Sequence, residues 1–299
     1  MERRKFIMST ALAAGAVALS GKRSFAQMLT MPEYKLTPLR NNVGIFTEQG
    51  GTIIWMVNKE GIVCVDSEFP DPANHLIAEL KKQSDKPFQW LINTHHHGDH
   101  TGGNISFKGL VKNVAAHANS LTNQRAAAAQ QKSEDKQLYP DTTFTDKWKV
   151  KVGDERITAH YFGAGHTNGD SFIHFQHANI VHCGDQVFNR RYPYIDRSAG
   201  ASCKHWPIAL ESAIKQFDKN TIFVFGHAFD PAKVVGNVED LKAMKNYMEK
   251  LVAYVDGSIK AGKTKEEILA TTSIPGITDW QGDGIQRGLT AAYEELTTV

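Results

Sequence analysis

Cysteine is scarce, with 3 residues in 299, too few for a disulfide framework or for a metal site built from thiolates alone. Long apolar runs are missing as well: outside an N-terminal stretch too short to span a bilayer, none approaches the roughly 18 residues that a membrane-crossing helix needs. No cluster of Lys and Arg with interleaved aromatics occurs, so a nucleic-acid partner is not expected. What is present is an ordinary globular composition, 41% hydrophobic and 22% charged, with a generous supply of 13 His. Disordered, collagenous and coiled-coil chains are excluded. Any metal chemistry must rest on imidazole and carboxylate.

The formal net charge of +2 conceals a split. Residues 1–26 hold five basic residues (Arg3, Arg4, Lys5, Lys22, Arg23) and one acid (Glu2); without them 29 basic residues face 31 acidic ones, a net charge of −2. That segment has the order of an export signal: basic residues at 3–5, an apolar small-residue stretch from Ile7 to Leu19, then Ser24-Phe25-Ala26 as a small-x-small cleavage site before Gln27. Arg3-Arg4-Lys5-Phe6-Ile7 is similar to a twin-arginine signal, which sends proteins across the membrane already folded. The expectation is a chain cleaved near Ala26, without a membrane anchor, working in an oxidising, periplasm-like compartment.

From residue 27 a lead-in runs to 40, and then strand and helix signals alternate. Val43–Phe46, Thr52–Val57 and Gly61–Asp66 are β-rich runs; Asp71 through Gln83 has helical spacing, with Asp71 as its N-cap; Phe88–Asn93 is a strand leading to His95. The rhythm repeats in a strand at Lys112–Ala116, a helix at Ala118–Lys132 and a turn-rich link at Tyr139–Asp146. Strands follow at Lys147–Val152, Glu155–Phe162, Ser171–Gln176, Asn179–Cys183 and Thr221–Phe225, with a helix at 207–217 and helices from Val238 to Lys260 and Lys265 to Ala270. Two batches of strands, each closed by helices, point to a layered α/β protein. The economical division is one catalytic domain over 27–237 and a helical extension over 238–299 packed on it.

His95-His96-His97-Gly98-Asp99-His100 is the strongest signal in the chain. His95 and His97, two apart, project the same way from an extended segment, while Asp99 and His100 follow the flexible Gly98 and can turn to a second position. Nitrogen and oxygen donors without thiolate suit zinc, and iron or manganese take the same set.

His-x-His-x-Asp-His resembles the signature of the metallo-β-lactamase superfamily. The resemblance implies a four-layer αβ/βα sandwich, two mixed sheets packed together with metals at one edge. It extends along about residues 40–230. Gly165-His166-Thr167 resembles the loop of the third ligand of the first metal. Gly184-Asp185 resembles the bridging aspartate of glyoxalase II-like and lactonase-like members, and Gly226-His227 the last ligand of the second metal. The implied centre binds two zinc ions per chain, one held by His95, His97 and His166, the other by Asp99, His100 and His227, with Asp185 shared. Asp66, at the end of Ile62-Val63-Cys64-Val65, resembles the family's strand-end Asp, which orients a ligand histidine; capping a turn is the alternative.

Other side chains receive plainer readings. His96 points away from its neighbours toward solvent, and His117 is structural. Cys64 and Cys183 are buried thiols, Cys183 being two residues from Asp185, and Cys203 is exposed. Gly50-Gly51 makes a hairpin turn, with a flexible flap as the alternative.

The reaction implied is hydrolysis of an ester, lactone or thioester by a metal-bridging hydroxide, with Asp99 orienting it or receiving its proton. No Ser nucleophile motif or Gly-rich phosphate loop competes. After Asp185, Arg190 or Arg191 is placed to bind a substrate carboxylate, and Tyr192 or Tyr194 to donate to a developing oxyanion. A β-lactam amide is the second substrate class. It is favoured by export and disfavoured by Asp185, where the commonest zinc β-lactamases carry Cys. A third reading is non-hydrolytic, an iron-dependent sulfur oxygenase or a metal-binding accessory to maturation. Phe225-Gly226-His227-Ala228 departs from the family's more frequent Pro-Gly-His-Gly, and the tail after Val238 does not resemble a glutathione-binding segment.

Overall fold

The computed structural model describes residues 34–282 and 284–298; the export segment read at 1–26 lies outside them. Among these residues the strands fall into two large sheets and a short pair. In the first, β1 (Lys35–Arg40), β2 (Val43–Thr47), β3 (Ile53–Asn58) and β4 (Gly61–Val65) form an antiparallel meander. β5 (Phe88–Ile92), β6 (Val111–His117) and β7 (Thr142–Phe144) extend it in parallel. Across the second sheet lie, in order, β15 (Val235–Gly236), β13 (Ile222–Val224), β11 (Ile180–His182), β10 (Phe172–Phe175), β9 (Glu155–His160) and β8 (Lys147–Val152). β12 (Phe188–Asn189) and β14 (His227–Ala228) form the parallel pair.

The two-residue period of a strand assigns its faces. Val63 and Val65 of β4 join Ile173 and Phe175 of β10 and Ile180 of β11 in a core between the sheets. Phe172 and Val181 point the other way, into a second core with α4 (Trp206–Gln216), α5 (Val238–Lys260), α6 (Lys265–Leu269) and α7 (Ile285–Thr297). On the outer face of the first sheet α1 (Pro70–Gln83) buries Leu76, Ile77 and Leu80. Strands buried on both faces read as continuous apolar runs, as β4 does. The result is four layers, helices on each side of two facing sheets.

Some expectations need correction. Residues 35–40 of the lead-in are an edge strand, and the link at 139–146 contains β7. Asp71 does not cap α1: Phe69 holds the N-cap position and Pro70 opens the helix, because proline's fixed φ suits the first turn.

Candidate metal centre

Strand ends place the chemistry. Asp66 follows β4, and His95 and His97 follow β5. The one-turn helix α2 (Gly98–Thr101) then swings Asp99 and His100 back across the same edge. His166 lies between β9 and β10, Asp185 in a 3₁₀ turn (Gly184–Gln186) after β11, and His227 just past β13. Loops at the carboxyl ends of neighbouring strands thus converge, as ligand sites on α/β sheets do.

All seven expected side chains meet there. His95, His97, His166 and Asp185 form one group able to hold a cation, and Asp99, His100 and His227 form a second. Asp185 stands between them. Its Oδ2 is 3.5 Å from His166 Nε2 and 3.5 Å from His227 Nε2, while its Oδ1 is 3.0 Å from His100 Nε2. Asp99 Oδ2 lies 3.0 Å from His227 Nε2 and 3.8 Å from His100 Nε2.

Hydrogen bonds on the far side of each ring fix which nitrogen faces inward. His166 Nδ1 donates to the carbonyl of Tyr194 at 2.8 Å, so its Nε2 presents a lone pair. His100 Nδ1 donates to Asp66 Oδ2 at 2.7 Å. His95 Nδ1 donates to Thr94 Oγ1, whose hydroxyl passes the bond on to Asp66. His97 Nε2 donates to Asp196 Oδ2 at 2.9 Å, leaving its Nδ1 2.8 Å from His166 Nε2. Two lone pairs face each other there, an arrangement that needs a proton or a cation between them. His95 Nε2, His100 Nε2 and Asp185 Oδ1 are buried without a hydrogen-bond partner; the 3.0 Å approach of the last two lacks hydrogen-bond geometry. Buried polar atoms left so are costly unless something satisfies them. The donor set fits a pair of divalent cations.

The charges agree. Burial alone would strip the proton from His100, yet Asp185, Asp99 and Asp66 outweigh it and hold its pKa well above the usual value. Burial alone would raise the Asp99 carboxyl, but His100 and the hydrogen bond from His227 hold it down at about 2. Desolvation drives His95 well down and His166 down to about 3, so both are neutral donors. Backbone crowding is part of the design: a Cβ on Gly226 would lie 2.0 Å from Asp185 Oδ1, and one on Gly51 2.2 Å from His100 Cε1. Gly50 and Gly51 form a tight turn rather than a flap, since Glu68 accepts the backbone N–H groups of Glu48, Gln49 and Gly50. Asp66 itself holds a left-handed φ of 65°, a strained conformation that aims its carboxylate at His100 and Thr94.

A family model described as the metallo-beta-lactamase superfamily matches residues 47–257. The chain belongs to that superfamily. Among curated relatives, a metallo-beta-lactamase type 2 from Elizabethkingia meningoseptica is 23% identical over 221 residues, 71% of this chain and 85% of the relative. A probable hydroxyacylglutathione hydrolase from Schizosaccharomyces pombe is 26% identical over 208 residues, 66% of this chain and 73% of the relative. A solved metallo-beta-lactamase from Pontibacter korlensis superposes with a TM-score of 0.60 at 21% identity, covering 73% of this chain and 99% of that one, a likeness of fold. Superfamily membership and hydrolase relatives make the chain a metal-dependent hydrolase.

Some of the remaining residues fall elsewhere than expected and others keep their place. His96 is buried, not solvent-facing: it lines a cleft with Gln124 and Ala128 of the helix α3 (Ala118–Gln131), and its Nε2 is 3.7 Å from Asp196. Cys203 is buried beside α7, its backbone N–H bonded to Glu295. Cys183 packs in the helix-side core and belongs to none of the groups able to hold a cation. His117 receives the Asn119 N–H and donates to the carbonyl of Thr145, a structural role. Arg190 is committed to Asp279 at 2.7 Å, and Tyr192 packs toward Tyr247, so neither faces the centre. Tyr194 does, its ring 5.5 Å from that of His97. Asp196 escaped the reading, as did Asp170, which accepts from Thr167 and Gln186 and shapes the His166 loop; burial pushes the Asp170 carboxyl up to about 7.

Proposed function

We propose that the protein is an exported dinuclear zinc hydrolase that cleaves an ester, lactone or thioester of a small molecule. The observation that carries this is Asp185, whose carboxylate lies 3.5 Å from His166 of one group and 3.0 and 3.5 Å from His100 and His227 of the other. His95, His97 and His166 would hold one divalent cation and Asp99, His100 and His227 a second, with Asp185 beside both groups; when bound, such ions would supply Lewis acidity and acidify water at neutral pH. The chain supplies the rest. Asp99, about one third exposed, is a carboxylate at neutral pH, so it would orient the attacking water and receive its proton. Asp66, Tyr194 and Asp196 hold the rings still, which keeps the reacting geometry preorganised. Export over residues 1–26 and work in the periplasm belong to the same proposal, supported by the order of the N-terminal signals.

A β-lactam is the second substrate class, favoured by the relative named a metallo-beta-lactamase. The deciding experiment measures metal content and turnover of zinc-loaded protein on ester, lactone, thioester and nitrocefin substrates, beside Asp99→Ala. Two zinc ions per chain with turnover of an ester-type substrate abolished in the variant support the reading. Turnover of nitrocefin alone replaces it with the β-lactamase reading, and one iron per chain without hydrolysis overturns both. Mass spectrometry of periplasmic protein should find a chain beginning at Gln27.

A further inference from the structure

Beside the centre lies a small cleft of about 50 Å³, bounded by Phe188, Arg191, Tyr194, Gly284 and Arg287. Two of these residues also wall the centre. Phe188 stacks on His227 with ring centroids 5.5 Å apart and meets His166 edge-on, and Tyr194 borders His97. The cleft therefore borders the His and Asp cluster, with Phe188 and Tyr194 as shared walls.

Charge sets this cleft apart. Nearby Arg190 is neutralised by Asp279, and Arg197 by Glu295 at 3.3 Å. Among the described residues Arg191 and Arg287 form no ion pair, although both line one small space. Two unpaired positive charges lining one small space favour an anion there. Both are held in place by the backbone. Arg191 forms a parallel bridge with Gln281, flanked by Tyr192 N–H to the Gln281 carbonyl at 3.0 Å and Gln281 N–H to the Arg190 carbonyl at 3.1 Å. Arg287 stands in the first turn of α7, where Gly284 at the N-cap offers no side-chain acceptor. The first N–H groups of that helix and the positive end of its dipole add to the pull on an anion.

We propose that Arg191 and Arg287 form a recognition site for a carboxylate carried by the substrate, so that the centre prefers esters, lactones or thioesters whose acyl part bears an acid. This rests on the hydrolase reading given above. Planar guanidinium forks match a carboxylate in two parallel hydrogen bonds. Arg287 lies beyond the matched superfamily region of 47–257, so the C-terminal segment adds this selectivity to the common centre.

Two esters that differ by one carboxylate, 4-nitrophenyl hemisuccinate and 4-nitrophenyl butyrate, test it on the zinc-loaded full chain. Arg287→Ala is expected to lower the hemisuccinate-to-butyrate ratio of kcat/KM about tenfold or more by raising KM for the hemisuccinate. Arg287→Lys, which keeps charge but not the fork, should fall between. An unchanged ratio, or equal losses on both esters, overturns the proposal. A second readout does not depend on turnover: on titrating succinate, the Nε–Hε resonances of Arg191 and Arg287 should shift and saturate, while neutral succinamide leaves them in place. Absence of a saturable shift removes the site. Saturable shifts with no cleavage of either ester keep the carboxylate site and reject the hydrolysis of such esters.

Discussion

The two halves of the centre differ in how they are enclosed. In the first half His95 and His166 are 1% and 0% exposed and His97 is 19% exposed, and carbonyl, hydroxyl and carboxylate acceptors hold the far side of every ring. In the other half Asp99 and His227 are 32% and 16% exposed, and only His100 is sealed in, by Asp66. Acceptors behind every ring brace the first half, while Asp99, the most exposed of the seven side chains, opens the second to solvent. Asp185 belongs to both, so it ties the rigid half to the open one.

The sharpest way to break this comparison is Asp185→Asn. It should abolish cation binding in both halves, costing more activity than the roughly 10–100-fold expected for losing an outer hydrogen-bond partner; retention of one tightly bound ion and full activity would separate the halves. Next comes graded chelation. Metal per chain followed during dialysis against a mild chelator should pause at one ion, because the open half releases first. Simultaneous loss would erase the distinction.

Asp66→Asn should weaken metal affinity about 10–100-fold. Asp196→Asn should act at the lower end of that range, because Asp66 reaches His100 directly and His95 through Thr94 whereas, of the seven clustered side chains, Asp196 hydrogen-bonds His97 alone. Equal effects, measured by competition with a zinc indicator, would mean that Thr94 transmits nothing. The smallest expected change is thermal. Glu295→Ala strips acceptors from Ser202 Oγ and the Cys203 N–H and a partner from Arg197, and should cost about 1–3 kcal/mol, read as a lowered Tm.

The open half was as legible in the sequence as the closed one. His95 to His100 announce themselves by spacing, and His166, Asp185 and His227 each follow a glycine at a predicted turn or strand end. Of the positioning groups only Asp66 was legible, through the family resemblance, and it does hold His100. Asp196 lies 99 residues from His97 and reaches it only through the path of a loop. The Tyr194 contribution to His166 is a carbonyl, which every residue carries. His96 shows the limit of period-two reasoning: alternation turned it from His95, but only tertiary packing decides whether the opposite side is water or protein. Short strands such as β7, β12 and β14 are too brief for any periodicity to reveal. Arg190 and Arg191 looked equivalent in sequence, and only the fold pairs one with Asp279 and leaves the other beside Arg287.

The clasp between the loop at 190–203 and the segment from Gln281 to Glu295 also sets an order in time. Chains are made from the N-terminus at roughly 5–20 residues per second, so the stretch from His227 to Glu295 takes seconds to synthesise. All seven clustered His and Asp side chains exist before the strand bridge and the Glu295 anchor that fasten the loop carrying Tyr194 and Asp196. For those seconds the full donor set has been made while the residues that fasten its wall have not.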